Sequence, residues 1–191
     1  MYKRQVVSSC HPQRLCESLQ GFFDKVLVDA PCSGEGMFRR DPAAVAQWSP
    51  ESPTACAQRQ RAILDSAALA VREGGVLVYS TCTFSREENE DNVRWFLSAH
   101  PEFALVPIEA RFGRPGLENL PVRRIYPMDG GEGHFVAKFQ RVGESSCKAR
   151  PFTAYLSRRE EGEFQGLFEE LFTCPWPGNA ARFGDRVVLL P

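Results

Sequence analysis

The sequence predicts an α/β sheet flanked by helices. Three observations carry that expectation. Two short apolar runs, residues 26–28 and 76–80, have the β-branched content of strands buried on both faces. Between them, residues 54–71 repeat apolar side chains at helical spacing. The order strand, helix, strand, helix, strand is that of folds built from right-handed crossovers.

Each element has a local reason. The first strand ends at Val28 and runs into Asp29-Ala-Pro-Cys-Ser-Gly-Glu-Gly36, a loop rich in turn residues. Asp41-Pro42 reads as an N-cap with proline at the first helical position, opening a short helix to Trp48. In the long helix, Cys56, Gln60, Ile63, Leu64, Ala67 and Val71 share a face, with Gln60 the weak member. Gly74-Gly75 is placed to end it. The second strand leads at once into Thr81-Cys-Thr-Phe84. Ser85-Arg-Glu-Glu88 has the pattern of a capping box for a helix that carries Val93, Phe96 and Leu97 and stops before Pro101. Residues 103–106, 123–126 and 134–141 follow as strands. A helix near residues 157–172 and a strand at 186–190 come after a polar stretch, 143–148. That stretch is the expected boundary between residues 1–142 and 143–191.

Composition narrows the class. At 191 residues, 43% hydrophobic and 25% charged, the chain has globular values. Its longest apolar runs are far short of the roughly 20 residues of a membrane span. The first ten residues hold two positive charges but no apolar core, so no secretory signal is expected and a cytoplasmic monomer is. Net charge is −1, yet the basic residues are 19 Arg to 4 Lys, with paired arginines at 39–40, 123–124 and 158–159. Arginine forks suit phosphates, although a GC-rich genome gives the same bias.

Seven cysteines, an odd number with no C-x-x-C, argue against a disulfide framework and a paired-cysteine zinc site; no metal is expected. Two of them, Cys32 and Cys82, stand just past predicted strands. Ligands of open α/β sheets sit beyond such strand ends. If the strands are neighbours, both thiols and the Asp29 carboxylate share one pocket. Other cysteine chemistries fit less well. No Cys is followed by Arg six residues later, as a cysteine phosphatase requires. A Cys–His hydrolase would need His134 as its base. Gly34-Glu-Gly36 lacks the third glycine of a dinucleotide fingerprint, and Gly130–Gly133 lacks the Lys-Ser/Thr of a phosphate loop.

Asp29-Ala-Pro-Cys-Ser-Gly-Glu-Gly-Met-Phe-Arg and Tyr79-Ser-Thr-Cys-Thr-Phe resemble the two signature loops of the RNA cytosine-5 methyltransferases of the Nop/Sun family. The bacterial RsmF-type ribosomal RNA enzymes are the closer match. Trp48-Ser-Pro-Glu, Gln58-Arg-Gln-Arg61, Glu87-Glu-Asn-Glu90 and Gly131-Glu-Gly-His-Phe135 resemble the same branch. The resemblance covers residues 21–141 well; residues 150–191 resemble the start of the family's C-terminal RNA-binding region.

The resemblance implies a Rossmann-like sheet, S-adenosylmethionine as cofactor, and RNA as partner, ribosomal before transfer RNA. It implies Cys82 as nucleophile, Cys32 as the thiol that assists product release, and Asp29 at the junction of cofactor and base. Arg39, Arg40, Arg59 and Arg61 become candidates for RNA phosphates, or solvated helix faces. The family's glycine-rich cofactor loop, a lysine and a ribose-binding acid precede the first strand, whereas residues 1–20 contain no glycine. The expectation is therefore an N-terminally truncated methyltransferase with only the later strands and weak cofactor binding of its own. Two other classes stay open: a non-catalytic RNA-binding remnant, and the hydrolase.

Overall fold

The computed structural model describes residues 7–143, 156–173, 176, 178, 180–183 and 186–189. The chain divides into two compact units, one of residues 9–147 and one of residues 148–191 with the first eight. The larger holds α1 (Pro12–Ser18), β1 (Phe23–Asp29), α2 (Pro42–Gln47), α3 (Ser52–Ala70), β2 (Val71–Thr81), α4 (Glu90–Ala99), β3 (Phe103–Leu105), β4 (Arg114–Pro115), β5 (Arg123–Ile125) and β6 (His134–Arg141). The smaller holds α5 (Arg158–Leu171) and a hairpin of β7 (Ala180–Phe183) and β8 (Arg186–Leu189). Residue 190 of the expected last strand lies outside the described residues.

The sheet is mixed, in the order β1-β2-β6-β5-β4, with β3 also against β6. The β1–α3–β2 unit is a parallel crossover, and the other pairings are antiparallel. Because β6 returns between β2 and β3, the parallel series expected from element order stops after two strands. β2 alternates buried and half-buried residues, turning Leu77, Tyr79 and Thr81 inward. Leu64, Val93, Phe96, Phe135 and Phe139 complete the core, with the Phe96 and Phe139 rings 4.7 Å apart. Each such side chain contributes about 1.5–3 kcal/mol by leaving water. Opposite this, β1 is the edge strand, and its Leu27 is 69% exposed. No helix among the described residues is long and apolar enough to cross a membrane.

Two local expectations need correction, and three short elements were not expected. Gly74-Gly75 does not end α3, which stops at Ala70; the glycines lie inside β2. There the register jumps between the Phe23–Val71 and Lys25–Val76 pairs, and a Cβ on Gly75 would meet Arg72 O and Val71 Cγ1 at 2.8 Å. They form a bulge rather than a cap. The Ser85–Glu88 capping box is also not closed. The Glu88 N–H reaches Ser85 Oγ, but α4 begins at Glu90 and the Glu88 side chain turns the other way. Finally, α1, β4 and β7 had no periodic signal in such short segments.

Candidate active site

β1 and β2 are adjacent and parallel, with Asp29 paired to Ser80, so the loops leaving their carboxyl ends lie side by side. The Ala30 N–H donates to Ser80 O (2.9 Å) and the Gly36 N–H to Cys82 O (2.8 Å), which stitches the loops together. Gly36 is required for that approach: a Cβ there would meet two backbone oxygens, Cys82 O and Gly133 O, each at 2.7 Å.

The stitching brings Cys32 Sγ to 3.1 Å from Cys82 Sγ, and the Cys82 N–H donates to Cys32 Sγ at 3.3 Å. Both side chains are partly exposed, so the pair is reachable from solvent. The hydrogen bond with the Cys32 thiol holds Cys82 down, to about 7, against burial and the Asp29 carboxylate, which push it up. Cys32 is driven well above the ordinary thiol range by that same bond and by burial. The shared contact thus pushes the two thiols in opposite directions, Cys82 down and Cys32 up. Asp29 is exposed at the end of β1 and accepts from the Ser80 hydroxyl at 3.0 Å through Oδ1. Among the described residues its other oxygen has no donor, so the carboxylate is free to take a hydroxyl or a cationic group of a ligand.

Around the thiols lies a polar frame. Thr83 Oγ1 and the Phe84 N–H donate to Glu35 Oε2 (3.0 and 2.8 Å). Asn89 ties Thr81 to the Thr83 carbonyl (2.6 and 2.9 Å). Gln60 and Glu88, both fully buried, stand behind Cys32. Sequence reasoning missed this frame. In the sequence Gln60 shows only as a polar flaw in the apolar face of α3, and Glu88 only as a member of a capping-box pattern.

The other candidates separate. Arg39, Arg40 and Arg59 are exposed, and Arg40 pairs with Glu132 at 3.1 Å. Arg61 is held internally, donating to Asn92 Oδ1 at 2.8 Å and lying over the Trp95 ring. His134 is exposed at the start of β6 and makes no hydrogen bond to either thiol; His100 is engaged by Asp65. A Cys–His dyad is therefore not assembled among the described residues. Nor do three or more His, Cys, Asp or Glu side chains there gather as a metal site.

The chain is 44% identical over 139 residues to ribosomal RNA small subunit methyltransferase F of Cronobacter sakazakii, covering 70% of this chain and 28% of that protein. It is 56% identical over 124 residues to the protein of the same name from Klebsiella pneumoniae, covering 63% and 26%. The chain thus spans about a quarter of the length of these curated relatives. Among solved structures, NSun6 from Pyrococcus horikoshii with SFG superposes with a TM-score of 0.60 at 34% identity, covering 72% of this chain and 34% of that one. A methyltransferase homologue from the same organism superposes with a TM-score of 0.55 at 30% identity, covering 70% and 43%. The fold is accordingly the Rossmann-like one of S-adenosylmethionine-dependent methyltransferases. Residues 4–140, most of the chain and both cysteine loops, match the family described as 16S rRNA methyltransferase RsmB/F, and the chain belongs to that family.

Proposed function

We propose that this chain carries the cysteine centre of an S-adenosylmethionine-dependent enzyme that methylates carbon 5 of cytosine in RNA, ribosomal RNA first. Residues 1–142 form the catalytic part and residues 143–191 begin an RNA-binding region. The observation that carries this reading is the thiol pair, 3.1 Å apart at the carboxyl ends of two adjacent parallel strands with Asp29 beside it.

Carbon 5 of cytosine is too weakly nucleophilic to be alkylated unaided. The target base leaves its stack to reach the strand ends. The Cys82 thiolate adds to carbon 6, and the ring electrons move to make carbon 5 nucleophilic. When bound, S-adenosylmethionine supplies the methyl group that carbon 5 takes. Loss of the carbon-5 proton to a base then restores the double bond as the Cys82–carbon 6 bond breaks. Cys32 assists that release, because its S–H hydrogen bond stabilises the thiolate that departs. Asp29 fits the junction of cofactor and base: a half-satisfied, exposed carboxylate can hold the polar edge of the cytosine or a cationic group of the cofactor.

A purely RNA-binding role would leave the paired thiols without a task. To test the reading, the matched segment of this chain replaces its counterpart in the Klebsiella relative, and the chimera is incubated with small-subunit ribosomal RNA and methyl-labelled S-adenosylmethionine. Nucleoside analysis should show label in 5-methylcytidine. Label in any other nucleoside, or none from a folded chimera, refutes it.

A further inference from the structure

One buried acid outside both cysteine loops is hydrogen-bonded to the loop that carries Cys32. Glu88 is fully buried between β2 and α4, and its carboxylate accepts from three directions. The Ser33 N–H donates to it at 3.0 Å, the Ser33 hydroxyl donates to its other oxygen, and Gln60 Nε2 donates at 2.7 Å. Gln60 Nε2 also donates to the Pro31 carbonyl at 2.9 Å. Pro31 and Ser33 are the neighbours of Cys32 on either side. Behind them, Gln60 Oε1 accepts from Asn92 at 2.9 Å, and the Tyr79 hydroxyl donates to the Glu88 carbonyl at 2.7 Å. Burying a carboxylate is unfavourable unless donors compensate it, and an apolar residue would fill the space at less cost. What no apolar residue supplies is a set of acceptor lone pairs on which the Cys32 loop can hang.

We propose that Glu88 is a positioning residue for the thiol pair: through Ser33 directly, and through Gln60 and Pro31, it holds the Cys32 thiol as a hydrogen-bond donor to Cys82. Its catalytic meaning rests on Cys82 being the nucleophile. The positioning itself can be read without RNA or cofactor.

The measurement is alkylation of the 191-residue chain by iodoacetamide between pH 5.5 and 9.5, with Cys32 and Cys82 peptides quantified separately by mass spectrometry. The ionisable groups that face Cys82 are Cys32 and Asp29 from the first loop and Glu88 from the turn before α4. Glu88→Gln keeps the size but replaces one acceptor oxygen with a donor. If Glu88 acts only by its charge, removing a negative group makes Cys82 ionise more easily, and its profile moves to lower pH. If Glu88 positions Cys32, Cys82 loses its donor. Its midpoint then rises from about 7 toward the roughly 8.5 of a free cysteine, so its alkylation at pH 7 slows about tenfold while Cys32 reacts faster. Ser33→Ala, which removes the hydroxyl grip and leaves the buried carboxylate with the backbone N–H of residue 33 and Gln60, should shift Cys82 in the same direction by less. A Cys82 profile that is unchanged or moves to lower pH in both variants overturns the proposal. So does equal acceleration of every cysteine in both, which marks unfolding. A wild-type midpoint near 8.5 would overturn the activated-thiol reading as well; a wild-type midpoint near 7 with unmoved variants overturns only the role of Glu88.

Discussion

Gly36→Ala tests whether the two cysteine loops must touch backbone to backbone. The added methyl would lie 2.7 Å from Cys82 O and 2.7 Å from Gly133 O. Ordinary contact begins near 3.4 Å, so each carbonyl must retreat by about 0.7 Å, and neither is a flexible side-chain end. Overpacking of this kind costs about 1–3 kcal/mol. At about 2–4 °C per kcal/mol for a protein of this size, calorimetry should show Tm lower by several degrees. The displaced Cys82 carbonyl also carries its sulfur away from Cys32, so Cys82 alkylation at pH 7 should slow. Gly162→Ala in α5 is the control: nothing lies within 4 Å of its new methyl, and alanine favours a helix by about 0.5–1 kcal/mol. An unchanged Tm and unchanged Cys82 reactivity in Gly36→Ala would refute the close-approach account.

The buried Arg124–Glu90 pair gives a second expectation. Arg124 Nε donates to Glu90 at 2.6 Å with both side chains almost wholly buried, so Arg124→Met strands a carboxylate and should cost about 3–5 kcal/mol in urea unfolding, while adding Glu90→Met should recover much of it. The N-cap of α5 gives a third. Bonds from the Ser157 N–H and hydroxyl and from Arg182 hold the Glu160 carboxyl at about 2, below its ordinary 4.5. The stabilisation it gives is therefore complete above pH 4.5 and lost as pH falls through about 2. NMR titration should find that low midpoint, and Ser157→Ala should raise it toward 4.5.

The fold was legible where the chain is periodic or strongly apolar. β1, β2, β6 and α3 stand within a few residues of their expected places because a buried strand or a long helix face constrains many side chains at once. The glycine pair was misread because Gly-Gly marks a bulge as readily as a helix end, and only the β1–β2 register distinguishes them. At the site, Cys32, Cys82 and Asp29 could be named from strand-end position and loop resemblance, but their 3.1 Å apposition depended on which strands are neighbours. Glu88 was hidden for a different reason. Its backbone does serve the Ser85 turn, as the local pattern suggests, while its carboxylate answers to Ser33, 55 residues earlier in the chain. Local sequence holds no signal for such a long-range partner.

The central claim is the division of labour between the two thiols. Its most direct test is a denaturing gel of the Klebsiella chimera with labelled RNA and S-adenosylmethionine, comparing Cys82→Ala with Cys32→Ala. Cys82→Ala should form no protein–RNA adduct and transfer no methyl. Cys32→Ala should still attack but release poorly, so an adduct that survives denaturation accumulates. An adduct with Cys82→Ala and none with Cys32→Ala would reverse the assignment, and its absence from both folded variants would contradict the covalent account.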